Sequence, residues 1–302
     1  MSSYDSYKHL NRCRGSRRDR IERIVGAVAK WFIVLATVIT CAGPLLYGFF
    51  LSLRPLTEVI NNPLDILPSI DEINFSSYVS ALSSEETGGF GLGRFMGNSL
   101  VVALFTTVLA VLFSMLGAYA AVRMKFFGRD VINVLFLVVY LFPGIVLAVP
   151  LFVLFSKLGM RGELPALIFI YLAQTIPVAL YMLRNYFVAV PKSVEEAAKV
   201  DGASLRQVIM KVVMPMALPG LLATALYVFM IAWNEFLFAL LFLIDNRDNW
   251  TISLGIAQLS DFTVPPTVLM AGSIVMTVPI VLVFVLAQKA LVEGLSAGAE
   301  KG

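Results

Sequence analysis

Long runs of apolar residues without a charge alternate with short polar segments along most of this chain. A helix needs about 20 mainly apolar residues to cross the hydrocarbon core of a membrane. Because that core offers the backbone no water, each run of this length predicts a helix. The runs lie at residues 31–53, 95–122, 131–156, 164–183, 262–288, and 212–244, where Glu235 is the one interruption. The pattern therefore predicts an all-α integral membrane protein with six transmembrane helices.

The loops between these predicted helices differ in lysine and arginine content, and cytoplasmic loops carry the excess of both. With the N-terminus inside, 18 of the 23 basic residues lie on the cytoplasmic side, eight of them among the first thirty residues. The outer loops hold the other five, which are Arg54, Arg94, Lys157, Arg161 and Arg247. We therefore expect both ends of the chain to lie in the cytoplasm.

The composition agrees with a membrane protein, since 59% of the 302 residues are hydrophobic, 14% are charged and the mean hydropathy is +0.84. A soluble domain carries about 25% charged residues, so this chain has too little charge for a surface that faces water. The basic arm, residues 1–27, runs into the first apolar segment, which favours the anionic lipid leaflet over nucleic acid as its partner. Cys13 and Cys41 predict no disulfide framework, and His9 alone predicts no metal site.

The polar segment between the fourth and fifth runs contains two helix-start signals. Ser193 followed three residues later by Glu196 predicts one capping box, and Ser204 followed by Gln207 predicts a second. Gly202 lies between them, where a left-handed backbone costs glycine least. We therefore expect a helix-turn-helix. Its second helix should bury one apolar stripe and expose the opposite polar side, the stripe being Leu205, Val208, Ile209 and Val212. From spacing alone, two short helices on the membrane surface explain this segment equally well.

A longer pattern in the same segment carries a family resemblance. Glu196-Ala197-Ala198, then Gly202 three residues on, then Val212-Val213-Met214-Pro215 after nine more, resembles the EAA loop of ABC-importer permeases. It differs from that loop in having valine for isoleucine and methionine for leucine. Further segments resemble the carbohydrate-uptake branch, and in particular its maltose-type second permease, over residues 25–302. They are Asp201-Gly202-Ala203, Ala232-Trp233-Asn234-Glu235-Phe236 and residues 292–302.

The resemblance implies how the chain is organised and which residues contact an ATPase. It implies a six-helix importer domain over residues 28–290, with the EAA-type loop at 191–215 between helices 4 and 5, and a cytoplasmic tail at 291–302. The segment around Glu195 to Gly202 would be the coupling helix that docks on an ATP-binding subunit. The tail Ala297–Gly302 would reach between the ATPase subunits. The residues assigned to ATPase coupling are Glu195, Glu196, Ala197, Ala198, Asp201, Gly202, Ala203 and Pro215.

The partners follow from the same resemblance. They are a second related permease, two ATP-binding cassette subunits and an extracytoplasmic solute-binding protein, in a bacterial plasma membrane. The chain has no G-x-x-x-x-G-K-[ST] loop, so ATP and magnesium would be used by the partner subunit. We expect no catalytic residue, no metal and no cofactor in this chain, and a sugar or sugar derivative as its cargo.

Three residues of the fifth run are candidates for the substrate pathway. Glu235 is the ionisable residue well inside an apolar run, where a carboxylate facing lipid costs about 2.5–3.5 kcal/mol. It and Asn234 either line the substrate route or bridge and cap helices. Trp233 either stacks on a sugar ring or packs in the interior. Gln174 and Asn133 more often bond a neighbouring helix than a ligand.

Other functions explain less of the sequence. The same importer class carrying glycerol-phosphate esters would favour basic groups along the path; the predicted spans have none, but the partner permease could supply them. A secondary transporter driven by an ion gradient would need intramembrane carboxylates or broken helices, and only Glu235 is available. A purely structural membrane scaffold would not explain the capped cytoplasmic helices.

Overall fold

The computed structural model describes residues 3–62, 65–129, 143–259 and 264–299, and residues 131, 134, 135 and 138 between them. Side chains are described within these ranges from residue 20 to residue 289, apart from residue 72. All regular structure in the described part of the chain is helical, as the apolar pattern predicts. The chain divides into two compact units, Met1–Asn74 and Phe75–Gly302.

The first unit consists of helix α1 (Ser3–Ser52), helix α2 (Leu56–Asn61) and a 3-10 turn (Ile70–Glu72). Helix α1 runs without a break from the basic arm through the first apolar run. Arg54 is buried just after it and donates hydrogen bonds to the backbone carbonyls of Glu58, Asn62 and Asp65. Arg54 belongs to a predicted outer loop. Its guanidinium group holds the first part of that loop together through these three carbonyls.

The second unit contains the remaining helices. They are α3 (Ser76–Leu82), α4 (Leu92–Arg123), α5 (Gly144–Lys157), α6 (Leu164–Ala189), α7 (Lys192–Val200), α8 (Leu205–Met216), α9 (Leu218–Asn234), α10 (Leu237–Leu243), α11 (Ile252–Leu259) and α12 (Pro266–Ala299). Helices α4 and α6 pack along each other, and α9 packs against α4, α6 and α12. Small residues allow the close approach, because a Cβ at Gly220 of α9 would overlap the ring of Tyr186 in α6.

Four described helices are long and apolar enough to cross a membrane: Arg20–Ser52 within α1, α4, α6, and Pro266–Lys289 within α12. A fifth is added if α8 and α9, which meet at an angle of 78°, are counted as one span. The predicted run at 131–156 falls partly outside the described residues, as does Asn133. The described residues of this run include those of α5, which has 14 residues and ends one residue beyond the run.

The predicted run at 212–244 is not one helix. It contains the end of α8, all of α9 and all of α10, separated at Ala217 and at Glu235-Phe236. Pro219 lies in the first turn of α9. Proline is tolerated there because the backbone N–H groups of a first turn have no acceptor within the helix, so the missing N–H costs no hydrogen bond. The first break lies in an uninterrupted apolar stretch, so hydropathy alone could not reveal it, whereas the second coincides with the one charged residue of the run, Glu235.

Candidate functional site

The turn between α7 and α8 has the predicted chemistry. Gly202 adopts a φ of +83°, in the left-handed region where side chains are strained. Ser204 then caps α8, since its backbone N–H donates to Gln207 Oε1 at 2.8 Å. The backbone N–H of Gln207 donates to Ser204 Oγ at 3.4 Å in return. The predicted helix-turn-helix and its second capping box are therefore confirmed.

The predicted capping box at Ser193 is wrong. Helix α7 begins at Lys192 with Pro191 in the capping position, and no side chain caps it. Pro191 has a φ of −63°, which suits the start of a helix and moves that start ahead of Ser193. Ser193 consequently lies inside the first turn, where it cannot serve as the cap.

Helix α8 contains a π turn, Val208–Val213, and this changes which residues face the core. In a π turn each N–H bonds the carbonyl five positions back, so residues five apart share a face. Val208 and Val213 are accordingly buried, whereas Leu205 is 47% exposed. The predicted stripe is thus wrong at Leu205 and omits Val213. Ile209 and Val212 are half-buried, as members of such a stripe should be.

Glu195 of α7 points into the protein. Its side chain is 4% exposed and its Oε1 accepts a hydrogen bond from Arg123 Nε at 2.6 Å. Tyr119 donates its hydroxyl to Oε2 at 3.1 Å. Arg123 closes the last turn of α4, so this ion pair ties α7 to α4. The coupling residue nearest the start of α7 therefore contacts its own chain in this structure.

The other coupling residues differ from Glu195 in being exposed or half-buried. Glu196, Ala197, Asp201 and Gly202 are exposed, and Val200 between them is 88% exposed. Ala198 and Ala203 are half-buried and pack against a cluster beneath the loop. Pro215 is exposed near the end of α8. The short helix thus presents a small, partly apolar surface outward while Glu195 holds its inner face.

A second glutamate marks the break between α9 and α10. Glu235 is extended, with φ −65° and ψ 130°, and its carboxylate caps α10. Oε1 accepts from the backbone N–H of Phe238 at 2.9 Å, and Oε2 accepts from that of Ala239 at 3.2 Å. Tyr171 of α6 donates its hydroxyl to Oε2 at 2.6 Å. Glu235 therefore both caps a helix and bridges two helices.

The two residues before Glu235 differ in exposure. Asn234 is exposed, and its amide donates to the carbonyl of Met230 one turn earlier at 2.8 Å. Trp233 is fully buried, stacks on Phe229 and donates its indole N–H to the carbonyl of Met276 in α12 at 3.1 Å. Of the three pathway candidates, Asn234 thus presents its side chain to a surface, and Trp233 joins α9 to α12.

A cavity of about 320 Å³ lies between α5, α6 and α9, next to the break at Glu235. Its walls are mainly apolar, with the amide of Gln174 and the side chain of Tyr227 among the lining groups. Gly144 lies opposite Gln174, and a Cβ there would be 3.5 Å from the amide nitrogen. This amide is a half-buried polar group near the middle of a span-length helix.

The opposite end of the second unit, near the start of α4, carries exposed ion pairs. Arg94 and Asp248 are 2.6 Å apart with 61% and 70% of their side chains exposed, and Arg247 pairs with Glu85. Arg161 pairs with Asp245 on the same side of the bundle. A second cavity, of about 490 Å³, is lined by several of these charged residues.

Residues 113–296 match the family described as "binding-protein-dependent transport system inner membrane component", and this match includes both glutamate sites. The chain belongs to this family. The resemblance to ABC-importer permeases drawn from the EAA-type loop is therefore confirmed, and the chain is a multi-pass membrane component of a transport system. Permeases of this family are non-enzymatic membrane components.

Curated relatives align with this permease over nearly their whole length. The trehalose/maltose transport system permease protein MalG of Thermococcus litoralis is 36% identical over 285 residues, covering 94% of this chain and 97% of that protein. The trehalose transport system permease protein SugB of Mycobacterium tuberculosis is 34% identical over 279 residues, covering 91% and 98%. A chain from the crystal structure of a bacterial ABC transporter involved in alginate import shares the fold. Its TM-score is 0.74 at 24% identity, covering 90% of this permease and 97% of that chain.

Sequence reasoning missed three residues that complete these sites in the permease. Arg123 counted only as a loop charge, and Tyr119 and Tyr171 counted only as members of apolar runs. A tyrosine inside a span signals a polar partner, because its hydroxyl usually forms a hydrogen bond when the ring is buried. The signal is weak because it does not say which residue that partner is. The partner itself lies 64 or 76 residues away along the chain, so only the fold could identify it.

Proposed function

We propose that the chain is a permease subunit of an ATP-driven importer for a sugar or sugar derivative, and that it forms part of the translocation pathway. The observation that carries the proposal is the short helix α7, which exposes Glu196, Ala197 and Val200 while Glu195 is bound inward. An outward helix with a small apolar surface suits insertion into a groove on a partner. That partner is the separate ATPase subunit.

The proposed membrane topology has six crossings with both ends in the cytoplasm. The four described helices of spanning length and the bent pair α8–α9 fall in five of the six apolar runs, and the shorter helix α5 falls in the remaining one. The excess of basic residues in the loops on the α7–α8 side supports the orientation. The membrane is the plasma membrane of a bacterial cell, where lipid rather than nucleic acid contacts the basic arm.

The proposed complex contains a second permease, two ATP-binding cassette subunits and an extracytoplasmic binding protein. ATP and magnesium bind to the cassette subunits, and the permease holds neither. The exposed charges Glu85, Arg94 and Arg247 form the surface for the binding protein. Exposed ion pairs are worth about 0–1 kcal/mol each, so they can exchange partners at little cost.

The proposed cargo class rests on the relatives. Permeases named for trehalose and maltose align over more than nine-tenths of this chain, and the curated relatives also include one for diacetylchitobiose. A relative named for sulfoquinovosyl glycerol, 34% identical over 260 residues, keeps other polar cargo as the second candidate. An ion-gradient transporter is disfavoured because the carboxylate of Glu235 is already occupied by two backbone N–H groups and a tyrosine hydroxyl.

The proposed pathway passes the cavity between α5, α6 and α9. Gln174 lines the cavity with an amide group that suits sugar hydroxyls, and the exposed Asn234 offers a second amide at the end of α9, which Glu235 terminates. The ring of Trp233 has no exposed surface, so this residue packs behind the wall of the path and does not contact the sugar. Sugar sites commonly combine a few convergent polar groups with apolar walls, which is the composition of this cavity.

The test is to co-express the chain with the proteins encoded beside its gene, purify the assembly through a tag on the chain, and reconstitute it in lipid. We expect a second permease and an ATPase to co-purify, and hydrolysis to rise with one binding protein loaded with its sugar. A chain that purifies alone and moves solute without ATP would contradict the proposal. Stimulation only by a binding protein loaded with a phosphate ester would select the second cargo class.

A further inference from the structure

We propose that Arg123, Glu195 and Tyr119 form a buried clamp that carries movement of α7 to the ends of α4 and α6. This inference rests on the proposed docking of an ATPase at α7. The clamp makes Glu195 a positioning residue, which acts through Arg123. Its neighbour Glu196 is exposed and faces the partner.

One guanidinium group joins three segments of the chain. Arg123 at the end of α4 bonds Glu195 of α7 through Nε at 2.6 Å. Its Nη2 donates to the carbonyl of Phe187 at 3.1 Å and to that of Val190 at 2.7 Å, at the end of α6. Because the guanidinium is planar and its donors are fixed in a fork, these three acceptors cannot move independently of α4.

Burial makes this clamp stiff. The side chains of Arg123 and Glu195 are 10% and 4% exposed, so water cannot replace either partner. The hydroxyl of Tyr119 donates a hydrogen bond to the second carboxylate oxygen of Glu195, and the Tyr119 ring contacts Phe187 edge-on. A buried charge without its partner is strongly unfavourable. Displacement of α7 therefore moves α4 and the end of α6 with it, and the loop does not absorb the movement.

The arrangement is better suited to transmission than to stability. A buried ion pair is often no more stabilising than apolar residues of similar volume, so its presence argues weakly for a stabilising role. Helix α7 has only nine residues, too few to be stable by itself. It needs a rigid attachment if a force applied to its exposed face is to reach the spanning helices, and the described clamp supplies one.

The experiment compares Glu195→Gln with Glu196→Gln in the complete complex in proteoliposomes. Three quantities are measured for each: the amount of ATPase retained on purification, the rate of hydrolysis, and the sugar imported per ATP hydrolysed. Glutamine at 195 keeps the shape and an acceptor for Tyr119 but removes the charge that pairs with Arg123. Glutamine at 196 makes the same chemical change on the exposed face.

We expect Glu195→Gln to retain the ATPase and to import about tenfold less sugar per ATP, within the usual range of coupling between sites. Glu196→Gln should instead lower ATPase retention, with an unchanged ratio in the complexes that remain. An unchanged ratio in Glu195→Gln overturns the clamp while leaving the proposed function intact. If the unaltered chain retains no ATPase, the proposed function fails and the clamp fails with it.

Two further variants guard against misfolding. Tyr119→Phe removes one hydrogen bond and keeps the ring, so it should lower the import ratio in the same direction by less. The double variant Arg123→Gln with Glu195→Gln should be no worse than Arg123→Gln alone, because both residues act as one unit. Additive losses of import per ATP, or a Tyr119→Phe ratio equal to that of the unaltered chain, would overturn the clamp even if Glu195→Gln fails to assemble.

Discussion

The two ends of α4 each carry an arginine–carboxylate pair of the same length, and the pairs differ in burial. Arg94 and Asp248 lie 2.6 Å apart with most of both side chains in contact with solvent. Arg123 and Glu195 are also 2.6 Å apart but are almost fully enclosed, and Arg123 additionally bonds two carbonyls. Equal distances therefore accompany very different surroundings at the two ends of one helix.

Exposure, rather than the distance between the charges, therefore decides how much an ion pair contributes to stability. Exposed pairs gain little because water and salt screen both charges. A buried pair cannot lose one partner without leaving a desolvated charge. Glu235 lies between these cases, since it is half-buried and its carboxylate accepts backbone N–H groups and a tyrosine hydroxyl. The proposed functions of the two ends follow: partner exchange at the Arg94 end and rigid transmission at the Arg123 end.

The largest effect is expected for Arg123→Ala. This change leaves Glu195 buried without its cation and removes the donor from the carbonyls of Phe187 and Val190. Removing one member of a buried pair costs about 3–5 kcal/mol. The purified complex should show a clearly lower midpoint of thermal unfolding. A midpoint within error of the unaltered protein would break the comparison, because burial would then carry no penalty.

Glu235→Ala should rank second. It removes the cap of α10, worth about 1 kcal/mol, and leaves the hydroxyl of the buried Tyr171 unpaired, at about 1–3 kcal/mol. Glu235→Gln keeps one acceptor and should lose less stability. Thermal unfolding of both variants measures the difference. Sugar uptake separates the roles, because unchanged affinity and rate in Glu235→Gln would remove the carboxylate from the substrate path.

Gly202→Ala and Gly202→Asp form a matched pair at the turn. Both place a side chain at a φ of +83°, at a cost of about 1–2 kcal/mol, in a position with no atom within 4 Å of the added Cβ. Only aspartate adds a charge to the proposed docking surface. We expect similar unfolding midpoints but lower ATPase co-purification for Gly202→Asp. Equal co-purification of the ATPase with both variants would count against docking at this turn.

Ser204→Ala and Ser193→Ala test the two helix starts. Ser204 caps α8, so its loss should cost about 1 kcal/mol. Ser193 makes no capping bond, so its replacement should leave stability unchanged. Hydrogen exchange of the amide of Gln207, which bonds Ser204 Oγ, gives a local readout. Faster exchange of the amide of Glu196, three residues after Ser193, in Ser193→Ala would mean that Ser193 also acts as a cap.

The smallest effect is expected for Arg94→Ala. The pair with Asp248 is exposed, so its loss should change stability by less than about 1 kcal/mol. The same variant should weaken stimulation by the binding protein, and more so at low ionic strength. An unfolding midpoint lowered as far as that of Arg123→Ala would erase the distinction between the two ends of α4.

The helical class, the approximate position of the spans and the nature of the α7–α8 loop could all be predicted from local sequence patterns. Apolar runs long enough to cross a membrane leave the backbone no alternative to helices, so this inference needs no knowledge of neighbours. The Gly202 turn and the Ser204 cap depend on residues a few positions apart. They were predictable because the groups that form these bonds are adjacent in the chain.

The direction in which each glutamate faces depends on how the helices pack and could not be predicted from local patterns. Glu195 and Glu196 are neighbours of the same type, yet one is buried against Arg123 and the other is exposed, because α4 lies beside one face of α7. The carboxylate of Glu235 likewise accepts a hydrogen bond from Tyr171, 64 residues away. The π turn in α8 shifted the buried stripe by changing the number of residues per turn. A sequence pattern identifies the buried face of a helix only when the number of residues per turn is known. Partners distant in sequence are brought together by packing alone.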